Sequence, residues 1–147
     1  MISLVGLAGA EKRYPRELSG GMARRASLAR MLASDPAILL LDEPFGALDA
    51  QLRGDLQHEL LRLWEGSGKT IVFVTHDIDE ALVLADRVIA LQSGGRIAVD
   101  VTVALGRPRD ARKARLAPDF IALHEQLIDA LSSDPDAATH NRATAAP

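Results

Sequence analysis

The run Ile38-Leu39-Leu40-Leu41, followed at once by Asp42-Glu43-Pro44, constrains this chain most. A short, unbroken apolar run predicts a strand of a parallel sheet that is covered on both faces. The fold class that follows is α/β, a mostly parallel sheet with flanking helices. In such sheets ligands sit beyond the carboxyl ends of the strands, and Asp42 and Glu43 fall there. An Asp at that place can hold Mg²⁺, which is usually bound by one or two carboxylates plus phosphate oxygens. A neighbouring Glu can orient and deprotonate an attacking water. Pro44 has no N–H and blocks extension of the ladder. Taken alone, the same residues also fit a strand that simply ends in a polar turn.

A second stretch, Leu18-Ser19-Gly20-Gly21-Met22, reads as a helix start. The Ser19 hydroxyl can accept from backbone N–H groups one turn on. Gly20 and Gly21 let an anion approach the backbone closely, where N–H groups and the positive helix end face it. An ordinary capped helix fits Ser-Gly-Gly equally. The helix predicted from Gly20 to about Ala33 stops before Ser34-Asp35-Pro36, because Pro36 disfavours helix at Asp35. Its arginines, Arg24, Arg25 and Arg30, read as a solvated face rather than a nucleic-acid patch.

Further along, Asp49 can cap a helix over Ala50 to Glu65, with Leu52, Leu56, Leu60 and Leu63 on one apolar face. Thr70 to Thr75 predicts the next buried strand, and His76 stands at its carboxyl end. A neutral imidazole there can donate or accept a hydrogen bond at a phosphate or an attacking water. Asp77 and Glu80 form a D-x-x-E capping box for a helix from Ile78 to Ala85. Gly66-Ser67-Gly68-Lys69-Thr70 imitates the end of a phosphate-binding loop, G-x-x-x-x-G-K-S/T. The first glycine of that pattern falls on Leu63, and a helix precedes where a strand is needed. It reads as a helix C-terminal turn.

Together these stretches resemble the ATP-binding cassette (ABC) family of P-loop NTPase-like ATPases. Leu18 to Met22 is similar to its signature sequence, and Ile38 to Pro44 to its Walker B strand with the catalytic Glu. Gly46-Ala47-Leu48-Asp49 is similar to the D-loop, and His76 to the switch histidine. Met22, Phe45 and Asp77-Ile78-Asp79-Glu80-Ala81 most resemble nitrate/sulfonate/taurine-type import ATPases. The resemblance implies Glu43 and His76 as catalytic residues, and Asp42 as the Mg²⁺ ligand. It implies Ser19, Gly20, Gly21 and Asp49 as ATP-binding residues. Relatives often have a Gln where Arg24 stands. The implied partners are a second ATPase subunit in a head-to-tail dimer, membrane permease subunits and, indirectly, a solute-binding protein.

The 147 residues hold no G-x-x-x-x-G-K-S/T. In the family that loop, the Gln loop and the adenine-stacking aromatic belong upstream of Met1. The chain therefore reads as an ABC ATPase fragment lacking the N-terminal P-loop half, expected to be inactive alone. The alternative is a non-catalytic remnant, or a binding module supplying its signature to an intact partner. Removing the P-loop strand also leaves the strands at Ile38 and Thr70 with a bare neighbour position, an aggregation hazard.

Composition excludes several other classes. Net charge is −3 and aromatics make up 3%, so neither a basic field nor stacking platforms favour nucleic acid. With no Cys there is no disulfide framework or thiolate metal site. No apolar run approaches the ~20 residues that span a bilayer, and the start lacks signal-peptide features. The expected location is cytoplasmic, peripheral on the inner face of the cell membrane. No heptad array suggests the coiled-coil insertions of DNA-repair relatives.

The expected organisation is a signature subdomain part at 1–33 and the C-terminal part of the ATPase core at 34–104. A basic loop and amphipathic helix follow at 105–131, then a disordered tail at 132–147. Within the core, Arg87 to Leu91 and Arg96 to Val103 predict a hairpin around Ser93-Gly94-Gly95. The segment Gly106-Arg107-Pro108-Arg109-Asp110, with Arg112, Lys113 and Arg115, is a basic loop that could touch anionic lipid or RNA but reads first as a solvated linker.

Overall fold

The computed structural model describes residues 1–46, 48–65 and 67–133. The expected tail lies outside the described residues from 134 onward, as do Ala47 of the D-loop-like segment and Gly66 of the turn. The chain divides into two compact units, one from Met1 to His76 and one from Asp77 onward.

The first unit begins with turns in which Val5 and Leu7 are buried. Helix α1 (Gly20–Ala33) starts at Ser19, whose hydroxyl accepts from the Met22 N–H at 3.3 Å. Leu28, Ala29 and Leu32 form its buried face. Asp35 then takes φ +49°, a left-handed turn placed just before Pro36. Strand β1 (Ile38–Asp42) pairs in parallel with β2 (Thr70–Val74), in register from Ile38↔Thr70 to Asp42↔Val74. Helix α2 (Ala50–Trp64) connects them, capped by the Asp49 carboxylate on the Leu52 N–H at 2.9 Å. Leu56 and Leu60 are buried as the spacing predicts, joined by Gln57 and Leu61; the side chain of Leu63 lies outside the description.

The strand pair departs from expectation on one face. Leu39 and Leu41 are each 2% exposed, but Ile38 is 63%, Leu40 68%, Val72 50% and Val74 52% exposed. Among the described residues nothing covers that second face, so an unbroken apolar run carries an alternating burial pattern. Phe45, just past β1, is buried with its ring 5.5 Å from that of Phe73. The phosphate-loop look-alike does no such work: the Lys69 ammonium pairs with the Asp35 carboxylate and lies 5.9 Å from the Trp64 ring.

The second unit packs helix α5 (Pro118–Ser132) on helix α3 (Ile78–Leu84) and on an antiparallel hairpin of β3 (Arg87–Leu91) and β4 (Ile97–Thr102). Phe120 and Leu127 are the buried anchors of α5. Asp77 caps α3, accepting from the Glu80 N–H at 3.1 Å. The hairpin turns through Gly94 and Gly95 at φ +74° and +75°, values that glycine reaches without strain.

The basic segment is not a solvated linker. Arg109 is buried and donates to the carbonyls of Leu82, Val83, Ala85 and Leu105 at 2.7–3.2 Å. Arg107 donates to the Asp86 carboxylate at 2.7 Å and to the Leu84 carbonyl at 3.1 Å. Two guanidiniums thus satisfy the orphan carbonyls at the C-terminal end of α3, where the helix dipole also favours cations. Ala111–Ala114 forms a short helix, α4, capped by Asp110.

Candidate functional site

The site is built at the carboxyl ends of the parallel pair in the first unit. Asp42 is the last residue of β1 and is exposed. Glu43 continues the ladder by one bond, its N–H donating to the Val74 carbonyl at 2.9 Å. It then turns sharply, with φ +41°. A left-handed conformation is costly for a residue with a Cβ, about 1–3 kcal/mol, and such strain gathers at functional sites. The turn brings the Glu43 carbonyl to within 3.3 Å of the Gly46 N–H. A Cβ built on Gly46 would meet Glu43 Oε2 at 3.5 Å.

β2 delivers His76 to the same place. Its Nδ1 lies 3.0 Å from Glu43 Oε1, and both side chains remain open to solvent. The two catalytic candidates are therefore in direct contact, 33 residues apart in sequence. Such a pair can pass or orient a proton: a carboxylate accepts it, and an imidazole in either tautomer offers one donor and one acceptor.

The helix-start candidates sit on the same unit. Around Gly20 and Gly21 nothing approaches within 4 Å of a built Cβ, so the backbone there is open to a ligand. Ser19 and Asp49 are both engaged as caps, of α1 and α2. The link between this helix and the carboxylates is Arg24, whose guanidinium donates to the Glu43 carbonyl. Arg25 donates to the carbonyls of Val5 and Gly6 at 3.4 and 3.0 Å. Arg24 and Arg30 are exposed, as the reading of these arginines as a solvated face expects, but Arg24 and the half-buried Arg25 also donate to backbone carbonyls. Their long-range partners left no local pattern to read.

Residues 1–46 match the family model described as "ABC transporter". An uncharacterized ABC transporter ATP-binding protein of Methanocaldococcus jannaschii is 48% identical over 90% of this chain and 49% of its own length. Over most of its length the chain is similar to the ATP-binding proteins of ABC transporters. The chain is also 44% identical to the taurine import ATP-binding protein of Escherichia coli, over 87% of the chain and 52% of that protein. The nitrate import ATP-binding protein of Synechococcus elongatus is 48% identical over 88% of the chain and 20% of that protein. A dimeric ATP-binding cassette in a post-hydrolysis state, bound to ADP and Pi, superposes with a TM-score of 0.58 at 35% identity. That match covers 71% of this chain and 46% of the cassette. The chain spans about half the length, or less, of these relatives.

The residues present fit a magnesium nucleotide in part. Asp42 and Glu43 offer adjacent, accessible carboxylates, which suits an ion that draws its other ligands from phosphate and water. Among the described residues no group of three or more acidic or His side chains forms a complete metal cage.

Proposed function

We propose that these residues belong to the ATP-hydrolysing subunit of an importer of the nitrate, sulfonate or taurine type. The carrying observation is the Glu43–His76 contact at the carboxyl end of the parallel pair, beside Asp42. In this reading Asp42 would hold Mg²⁺, which supplies charge neutralisation at the phosphates. Glu43 takes the proton from the attacking water, and its strained backbone points the carboxylate at His76. His76 holds that carboxylate and orients the water or a phosphate oxygen. Ser19, Gly20 and Gly21 offer backbone donors and a helix N-terminus to nucleotide phosphate, and Asp49 fixes the neighbouring loop. Residues 1–33 act as part of the signature subdomain, 34–104 as part of the core, and 105–131 as a C-terminal appendage.

The subunit works as a dimer with permease subunits at the inner membrane face. Among the described residues no helix is long and apolar enough to cross a membrane, so attachment runs through those partners. Because the 147 residues carry no G-x-x-x-x-G-K-S/T, they do not hydrolyse ATP by themselves. A binding module that lends its signature to an intact subunit is the second reading, favoured by the open backbone at Gly20 and Gly21.

The test is ATP turnover by the 147-residue chain alone, then together with the P-loop-bearing portion of a taurine-type relative. Turnover only in the mixture, abolished by Glu43→Gln, supports the proposal. Turnover by the chain alone, or turnover in the mixture that survives Glu43→Gln, overturns it. A mixture that stays inactive, while Ser19 variants alter turnover by an intact subunit, favours the module.

A further inference from the structure

Glu43 holds an unfavourable backbone conformation, φ +41°, at the end of β1. Something must hold it there, because a residue with a Cβ relaxes out of the left-handed region unless its surroundings fix it. Its N–H is tied to Val74 and its carboxylate to His76. Its carbonyl is met by two donors, the Gly46 N–H and the guanidinium of Arg24. The Gly46 bond is local and moves with the turn. Arg24 comes from a different element, the second turn of α1, whose start Ser19 caps. A hydrogen bond from a charged donor is about twice as strong as a neutral one.

We infer that Arg24 is a positioning residue: it clamps the Glu43 carbonyl, locks the left-handed turn and so presents the Glu43 carboxylate to His76. The inference rests on the proposed role of Glu43 but concerns its geometry. The Arg24 guanidinium ties the helix that starts at the open Gly20–Gly21 backbone to the Glu43 carbonyl, so displacement of that helix by a ligand is felt at the turn that carries the Glu43 carboxylate. A glutamine at this position carries a shorter neutral donor, which makes the clamp a property of this chain's arginine.

The test is NMR of the full 147-residue chain carrying Arg24→Ala, Arg24→Lys or Arg30→Ala. Arg24→Ala is expected to move the Glu43 carbonyl-carbon and His76 ring signals. It should also speed Gly46 amide exchange about tenfold, the loss of one charged hydrogen bond. Arg24→Lys, which keeps a charged donor, is expected to restore much of both. Arg30→Ala removes an exposed arginine from the same helix and should leave them unmoved. Unmoved Glu43 and His76 signals in folded Arg24→Ala overturn the inference. So do equal shifts in Arg30→Ala, or a wild type without the left-handed Glu43 signature. Retained turnover in Glu43→Gln would instead sink the proposed function and leave this geometry standing.

Discussion

Glu43 Oε1 and His76 Nδ1 meet at 3.0 Å, and the parallel register of β1 with β2 causes it. Asp42 pairs with Val74 as the last rung of the ladder, so Glu43 and His76 both lie within two residues of the same strand ends. A one-residue slip would turn every side chain of one strand to its other face and part the two groups.

Glu43→Gln keeps the shape and a hydrogen-bond partner for His76 but removes the proposed base. In the assembly completed by a P-loop-bearing portion, single-turnover ATP hydrolysis should fall by about 10²–10⁴-fold, the usual contribution of a positioned base. Nucleotide affinity, measured by equilibrium dialysis, should stay within about threefold, because a neutral Gln removes no required phosphate contact. A fall in affinity with an unchanged single-turnover rate would show that Glu43 binds rather than reacts.

Much of the site was legible because it is local chemistry. Ser19, Asp49 and Asp77 all cap helices as their spacing predicts. Asp42, Glu43 and His76 stand at strand ends, and Gly94 and Gly95 make the turn. The arginines were not legible. Arg24, Arg25, Arg107 and Arg109 all donate to carbonyls or carboxylates far along the chain. A long, flexible stem with a five-donor head reads the same in sequence whether it meets water or a helix end. The exposed face of β1 was also hidden, since a continuous apolar run does not say which of its faces the rest of the unit covers.

Burial on that strand alternates, which predicts an unequal response from neighbouring leucines. Leu39→Ala should destabilise the first unit by about 2–5 kcal/mol, the usual loss for a buried Leu. Leu40→Ala, at a position 68% exposed, should stay within about 0.5 kcal/mol. Urea midpoints of the two variants check this. A comparable loss at Leu40 would mean that the face is covered in solution.

The glycine at position 6 should resist substitution. Its φ is +67°, and a Cβ there would meet Arg25 Nη1 at 3.0 Å and Leu52 Cδ1 at 3.3 Å. Gly6→Ala should cost about 1–2 kcal/mol from the left-handed backbone alone, with displacement of Arg25 in addition. Gly9, with φ +84° and nothing within 4 Å, should show the backbone cost only. Equal urea midpoints for the two variants would remove the claim that Arg25 packs against the N-terminal turn.

Arg109 should matter far more than its charged neighbours. Arg109→Leu strips a buried donor from four carbonyls, and loss of a buried charged network costs on the order of 3 kcal/mol. Arg112→Leu, on an exposed position, should stay within about 0.5 kcal/mol. Thermal unfolding followed by circular dichroism separates them, and a similar loss for both would refute the clamp on α3.

Acid should loosen the hairpin through one carboxylate. Arg87 Nε and Nη2 donate to Asp100 Oδ1 and Oδ2 at 2.8 and 2.6 Å, a two-pronged pair across β3 and β4. The hydrogen bond from Arg87 holds the Asp100 carboxyl below its ordinary value. A carboxylate whose folded pKa is depressed adds stability above its unfolded pKa, about 3.9, and that stability is lost as pH falls through the folded value. Both groups are exposed, so the effect is modest and weakens with salt. Denaturation midpoints of wild type and Asp100→Asn should therefore differ at pH 7, stay parallel to about pH 5, and converge below pH 4. Curves that keep their separation down to pH 2 would show that Asp100 stabilises the hairpin by packing rather than by charge.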